Sequence, residues 1–149
     1  IETIPSLRET AILAELLSAV DTPTWVSFCC RDATHLHDGA PVADAIALVR
    51  DVPCVFALGA NCTAPAHIGE LIRLVKKEAP RQRVVVYPNS GEVYQADTGT
   101  WHGTSELESF RKLVAGWVAQ GADIFGGCCR IGPAHIEVIR SVVDGLSDD

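Results

Sequence analysis

The sequence predicts a parallel α/β fold, and three observations carry that reading. Four short runs, Thr24 to Cys29, Cys54 to Gly59, Arg83 to Tyr87 and Ile124-Phe125, have the β-branched and aromatic content of buried strands. Each is followed by a helical stretch, and the units recur at a spacing of roughly thirty to forty residues, the rhythm of right-handed strand-helix-strand crossovers. Two of the runs also end in small residues that deliver cysteine, Gly59-Ala60-Asn61-Cys62 and Gly126-Gly127-Cys128-Cys129. Strand ends are where open sheets and barrels keep their chemistry. Four such units are half of a (β/α)8 barrel, and half a barrel standing alone would leave two open edges and an uncovered interior. Residues 1–149 are therefore expected to be one part of a single barrel domain whose other half lies outside this sequence, and not to fold cooperatively alone. A small doubly wound sheet is the competing picture, weakened by the lack of a glycine-rich nucleotide loop.

Taken in order, Ile1-Glu2-Thr3-Ile4-Pro5 reads as the tail of a strand entering a turn. Ser6 and Glu9 form a capping box, and Leu13, Leu16, Leu17 and Val20 then make an apolar stripe that Asp21-Thr22-Pro23 stops. After the first strand comes a polar loop from Arg31 to Gly39. Pro41 suits the first turn of a helix with Val42, Ile46 and Val49 inward. Thr63 and Pro65 start the next helix, with Ile68, Leu71, Ile72 and Val75 on one side and Lys76 and Lys77 in the last turn, where the macrodipole favours them. The third strand leads into Pro88-Asn89-Ser90-Gly91-Glu92 and a long polar loop without structure of its own, carrying Tyr94 and Trp101. Ser105 and Glu108 give another capping box, before Phe110, Leu113, Val114 and Trp117. Gly132-Pro133 leads the last helix, with Ile136, Ile139 and Val143 inward.

The chain has 149 residues, 48% of them apolar, enough for one core. Its formal charge of -7 argues against nucleic acid or an anionic membrane as partner and leaves a small-molecule substrate as the simpler expectation. No apolar run has the length of a membrane span, and the first residues do not resemble a signal peptide, so the expected location is cytoplasmic. On the same ground the six cysteines are read as reduced thiols.

Three thiolates from two strand ends, Cys62, Cys128 and Cys129, make an incomplete tetrahedron around zinc, leaving one position for substrate. Adjacent side chains on a strand point to opposite faces, so Cys128 and Cys129 can share an ion only where the pleat has broken, a freedom read into Gly126 and Gly127. The plain alternative is three buried core thiols. Cys29 and Cys30 read as core or pocket wall, and Cys54 as packing. His35 and His37 read as solvated or capping residues, with a second metal site as the alternative. His67 and His135 fall in first turns of helices and read as structural, and His102, in the long loop, reads as a loop residue with contact to substrate as the alternative.

Gly59-Ala60-Asn61-Cys62, Tyr87-Pro88-Asn89-Ser90-Gly91-Glu92 and Gly126-Gly127-Cys128-Cys129-Arg130, in this order, resemble the homocysteine S-methyltransferase family. The likeness spans the whole chain: Glu2-Thr3-Ile4-Pro5 resembles that family's fourth strand end, and the four strands resemble its fifth to eighth. It implies the C-terminal half of a (β/α)8 barrel, with Zn2+ on Cys62, Cys128 and Cys129 and homocysteine sulfur at the open position. It also implies that Glu2 holds the substrate ammonium. The family's first three strands, which carry an Asp-Gly element, are not in this chain. Asn61, Asn89, Ser90, Gly91 and Glu92 are candidate substrate-pocket residues, with Asn61 orienting the turn before a ligand. Tyr87, Tyr94 and Trp101 are candidates to face a cationic donor. The Tyr-Pro-Asn-Ser-Gly-Glu segment followed by Trp101 looks most like the branch that uses S-methylmethionine, with S-adenosylmethionine as second donor. The implied reaction moves a methyl group to the homocysteine thiolate and forms methionine. The alternatives are the homocysteine module of a cobalamin-dependent enzyme and a non-catalytic metal-binding domain.

Overall fold

The computed structural model describes residues 1–103 and 106–145. Four parallel strands, β1 (Thr24–Phe28), β2 (Val55–Asn61), β3 (Arg83–Tyr87) and β6 (Ile124–Phe125), form one sheet in the order β1-β2-β3-β6. Helices α2 (Val42–Val49), α3 (Pro65–Glu78) and α4 (Leu107–Ala119) connect successive strands; α1 (Leu7–Leu17) precedes the sheet and α5 (Pro133–Gly145) follows it. The expected parallel α/β architecture is present. Residues 1–4 run parallel to the outer side of β1: the Ile1 carbonyl accepts from the Ser27 N–H, and the Ile4 N–H donates to the Ser27 carbonyl. No helix among the described residues is long and apolar enough to cross a membrane.

The register decides which side chains share a face. Val26, Leu58 and Val84 lie in one row, and Phe28, Ala60, Val86 and Phe125 in the next. These buried rows pack with Ile46, Ile68, Ile72, Val114 and Ile139 into a core on the helical side. By alternation the opposite face presents Trp25, Ser27, Gly59, Asn61, Val85, Tyr87 and Ile124. Trp25, Val85, Tyr87, Ile124, Gly126 and Gly127 line a groove there, and Trp25 is 41% exposed. Gly59 sits where β2 and β3 approach closely, since a Cβ on it would lie 1.6 Å from the Val85 carbonyl oxygen.

Several expectations change. The Ser6 cap is present, its hydroxyl accepting from the Glu9 N–H. The stripe on α1 is narrower than expected: Leu17 is buried and Leu13 packs against the core, but Leu16 and Val20 are exposed, because the helix packs mainly on α2 at the edge of the layer. Ile136 is likewise exposed on α5. Pro41 and Ala64 are the N-caps of α2 and α3, each just outside the first turn. Ser105 lies outside the described residues; α4 is capped by Glu106, without a side-chain bond. The loop expected to lack structure holds an antiparallel hairpin, β4 (Val93–Gln95) with β5 (Thr100–His102), closed by Gly99 at φ +66. Its arms are only three residues long and exposed on every residue, so no burial pattern marked them in the sequence.

Candidate metal and substrate site

Cys62 stands one residue past β2 with φ +47, and its N–H donates to the Tyr87 carbonyl. Cys128 and Cys129 follow β6 after two glycines. The Cys128 N–H donates to the Pro88 carbonyl, and the Cys129 carbonyl accepts from the Ser90 N–H, so both cysteine loops are laced to the exit of β3. The glycines serve close approach: a Cβ on Gly127 would meet the Ile131 side chain at 2.0 Å, and one on Gly126 would meet the Tyr87 Cβ at 3.2 Å.

The Sγ atoms of Cys62, Cys128 and Cys129 lie within 4.8 Å of one another, the one such group of three potential ligands among the described residues. Cys62 and Cys129 sulfurs are 4.0 Å apart. Cys62 and Cys128 are joined in a disulfide, which corrects the expectation that all six thiols are reduced. Composition speaks to compartment, whereas two strand ends that bring Cα atoms to 5.5 Å place their sulfurs in bonding range.

The remaining cysteines are not members of this trio. Cys29 donates through Sγ to the Cys62 carbonyl, 3.4 Å away, and burial followed by the charge of Cys129 pushes its pKa up. Cys30 is buried, its pKa pushed up to about 12 by burial and then by Cys29. Cys54 is buried with Sγ against the Leu17 carbonyl. Thr63, expected to open α3, instead receives the Cys30 N–H on its buried hydroxyl and donates to the Asn61 carbonyl. His35 is tied to Asp32 at 3.1 Å within its own loop.

Beneath the sulfurs, on the groove face, lies a polar network. The Asn61 Oδ1 accepts from the Thr3 N–H at 2.8 Å and the Ser27 hydroxyl at 2.5 Å, and its Nδ2 donates to Thr3 Oγ1 at 2.7 Å. Tyr87 Oη is 2.6 Å from Ser27 Oγ and receives the Trp25 indole N–H at 3.2 Å. Burial raises the Tyr87 pKa; its hydrogen-bonded contacts with Ser27 and Trp25 oppose this, and the neighbouring Glu2 carboxylate adds to it. The Tyr87 phenol is accordingly neutral at physiological pH.

Above the sulfurs, Ser90, Gly91 and Glu92 form a tight turn. Gly91 has φ +94, a region that favours glycine. The Ser90 hydroxyl pairs with Glu92, and Arg130, itself at φ +63, reaches Glu92 with two nitrogens. The guanidinium holds the Glu92 carboxyl below its ordinary range. It also lies over the Trp101 ring, 5.3 Å from its centre, while Tyr94 packs on Trp101 at 5.2 Å. One face of Trp101 thus already carries a cation from the chain itself. The Asn89 Oδ1 is buried and has no hydrogen-bond partner, an acceptor available to a ligand N–H or water. Sequence reading missed Arg130, Thr3, Ser27 and Trp25, because each acquires its role from a partner at least thirty-four residues away in the chain.

A profile described as homocysteine S-methyltransferase matches residues 1–143. Homocysteine S-methyltransferase YbgG of Bacillus subtilis is 40% identical over 141 residues, 94% of this chain and 44% of that protein. Homocysteine S-methyltransferase 4 of Zea mays is 40% identical over 154 residues, 99% of this chain and 45% of that protein. The chain therefore spans under half the length of these relatives. The crystal structure of the Escherichia coli homocysteine methyltransferase MmuM in its metallated form superposes with a TM-score of 0.75 at 35% identity, covering 94% of this chain and 43% of that one.

Proposed function

Because the chain belongs to the homocysteine S-methyltransferase family, we propose that it is the C-terminal half of a (β/α)8 barrel that transfers a methyl group from a sulfonium donor to homocysteine, giving methionine. The observation that carries the reading is the convergence of Cys62, Cys128 and Cys129 sulfurs within 4.8 Å. Tetrahedral zinc with Zn–S bonds of about 2.3 Å wants its sulfurs about 3.8 Å apart, so the donor set fits once the Cys62–Cys128 bond is reduced to two thiolates. Soft thiolates favour zinc over the hard cations that prefer carboxylates. Bound there, zinc supplies deprotonation of a coordinating substrate thiol at neutral pH, where a free thiol of pKa about 8.5 is mostly protonated.

The chain's own residues supply position and charge. Glu2, on the segment along β1, is the proposed partner of the homocysteine ammonium, and Asn89 Oδ1 is an unfilled acceptor in the same region of loops. Loss of a neutral thioether from a sulfonium needs no proton, which agrees with a site built without an acid-base pair. Tyr94 and Trp101 are the proposed partners of the donor cation, each such contact adding about 0.5 to 2 kcal/mol. Trp101 can do so only if Arg130 shares or vacates its ring. S-methylmethionine is the proposed donor and S-adenosylmethionine the second.

The test is zinc content and methionine formation in the reduced full-length protein, with S-methylmethionine, S-adenosylmethionine or methylcobalamin as donor. Cys128→Ser is expected to lose both zinc and turnover. An active Cys128→Ser variant with undiminished zinc overturns the reading, and turnover with methylcobalamin alone replaces the donor.

A further inference from the structure

The directions of the hydrogen bonds below the sulfurs can be assigned from their two ends. The Asn61 Oδ1 receives the Thr3 backbone N–H, which fixes the amide orientation, and a carbonyl oxygen can only accept. Ser27 must therefore donate its single hydroxyl proton to Asn61. That leaves Ser27 Oγ as the acceptor for the Tyr87 hydroxyl, whose oxygen in turn receives the Trp25 N–H, a group that can only donate. The chain of donation runs one way, from Trp25 through Tyr87 and Ser27 to Asn61.

At its end Asn61 grips Thr3 twice, through the backbone N–H and through Oγ1. Thr3 has φ +61, a conformation that a β-branched residue adopts only when its surroundings impose it. Asn61 is 1% exposed, so this grip is protected from water, whereas Thr3 and Glu2 are exposed. Asn61 is also bonded in sequence to Cys62, whose own φ is positive. One buried carboxamide thus holds the Thr3 backbone, one residue from Glu2, and belongs to the residue just before a proposed zinc ligand.

We propose that Asn61 is a positioning residue for substrate recognition: by holding Thr3 in the left-handed conformation it aims the Glu2 carboxylate at the site occupied by the homocysteine ammonium. The inference rests on the homocysteine reading for what Glu2 binds, and adds what holds Glu2 in place. In this role the buried carboxamide acts through Thr3 and Glu2, not by touching the substrate.

The test uses the reduced, zinc-loaded full-length protein. Asn61→Ala is expected to raise the KM for homocysteine about tenfold or more, with kcat, donor KM and zinc content within about twofold of the parent. Adding Thr3→Gly to Asn61→Ala recovers part of the loss, because glycine adopts the left-handed region unaided. Loss of zinc, or a fall in kcat at unchanged homocysteine KM, overturns the proposal by placing the effect on Cys62. If Asn61→Ala does not fold, Thr3→Ala decides: it removes one of the two grips at an exposed residue, so a homocysteine KM raised about threefold supports the proposal and an unchanged one overturns it. If the parent protein makes no methionine from homocysteine, the functional reading fails by itself. Hydrogen exchange at the Thr3 amide then decides the clamp, slow in the parent and fast in Asn61→Ala if it exists, equal in both if it does not.

Discussion

Cys62 and Cys128 cannot hold an ion while bonded to each other, because a disulfide sulfur offers no thiolate. Two electrons must enter the pair before Cys62, Cys128 and Cys129 become a three-thiolate set. Protein prepared without reductant is therefore expected to take up less than about one-tenth of the zinc bound after dithiothreitol treatment, with free thiols rising by two per chain, read by metal analysis and thiol titration. Equal zinc uptake in both preparations would remove these cysteines as ligands. Cys54 provides the contrast. Its thiol is buried against the Leu17 carbonyl, away from the trio, so Cys54→Ala should lower stability by about 1 kcal/mol and leave zinc content unchanged. The trio was legible in the sequence because each member follows a short apolar run closed by small residues, a local signal. The grip of Asn61 on Thr3 was not legible, since it joins positions fifty-eight apart through the register of residues 1–4 on β1. Local pattern identifies ligands; what aims them is set by tertiary pairing.

Among the elements, β2 and the β4–β5 hairpin bear most directly on the site. Gly59 lets β2 carry Asn61 and Cys62 close against β3, and a methyl group at that position would overlap the Val85 carbonyl. Gly59→Ala is expected to cost about 3 kcal/mol or more in unfolding free energy, measured by denaturant titration, since backbone rather than a flexible side chain must move. The hairpin leans on the Arg130 guanidinium, which bonds Glu92 and covers Trp101. Arg130 holds the Glu92 carboxyl below its ordinary value, so the pair favours the ordered hairpin above the usual glutamate range of about 4.3 and stops doing so as pH falls through the lowered value. Trp101 fluorescence in a Trp25→Phe, Trp117→Phe background should change below pH of about 4 and lose that transition in Glu92→Gln, which does not titrate. A transition unchanged in Glu92→Gln would assign it to another carboxylate. The strands and their helices were readable because burial imposes period and composition; the hairpin was not, because its arms are solvent-facing throughout and its order derives from Arg130 and the Tyr94–Trp101 pair.

Across the molecule the two faces of the sheet differ in a way that bears on the proposed half barrel. One face is buried under the helices, while the other holds the Trp25 groove, with Trp25 and Phe56 both partly exposed and in edge-to-face contact at 6.4 Å. All-parallel sheets are ordinarily covered on both faces. In a closed barrel, side chains from the remaining strands would fill this groove and exclude water from the Trp25–Tyr87–Ser27–Asn61 chain, strengthening each of its bonds. A single-tryptophan form, Trp101→Phe with Trp117→Phe, should therefore show blue-shifted Trp25 emission and little quenching by acrylamide in the full-length protein. The isolated segment 1–149 should show red-shifted emission, strong quenching and a broad, weakly cooperative unfolding transition. Trp117 is 4% exposed and its replacement costs some core packing, so both forms carry the same substitutions and only their difference is read. Equal quenching in segment and full-length protein would mean that no further strands cover this face, and the half-barrel assignment would fall while the cysteine site remained to be judged on its zinc.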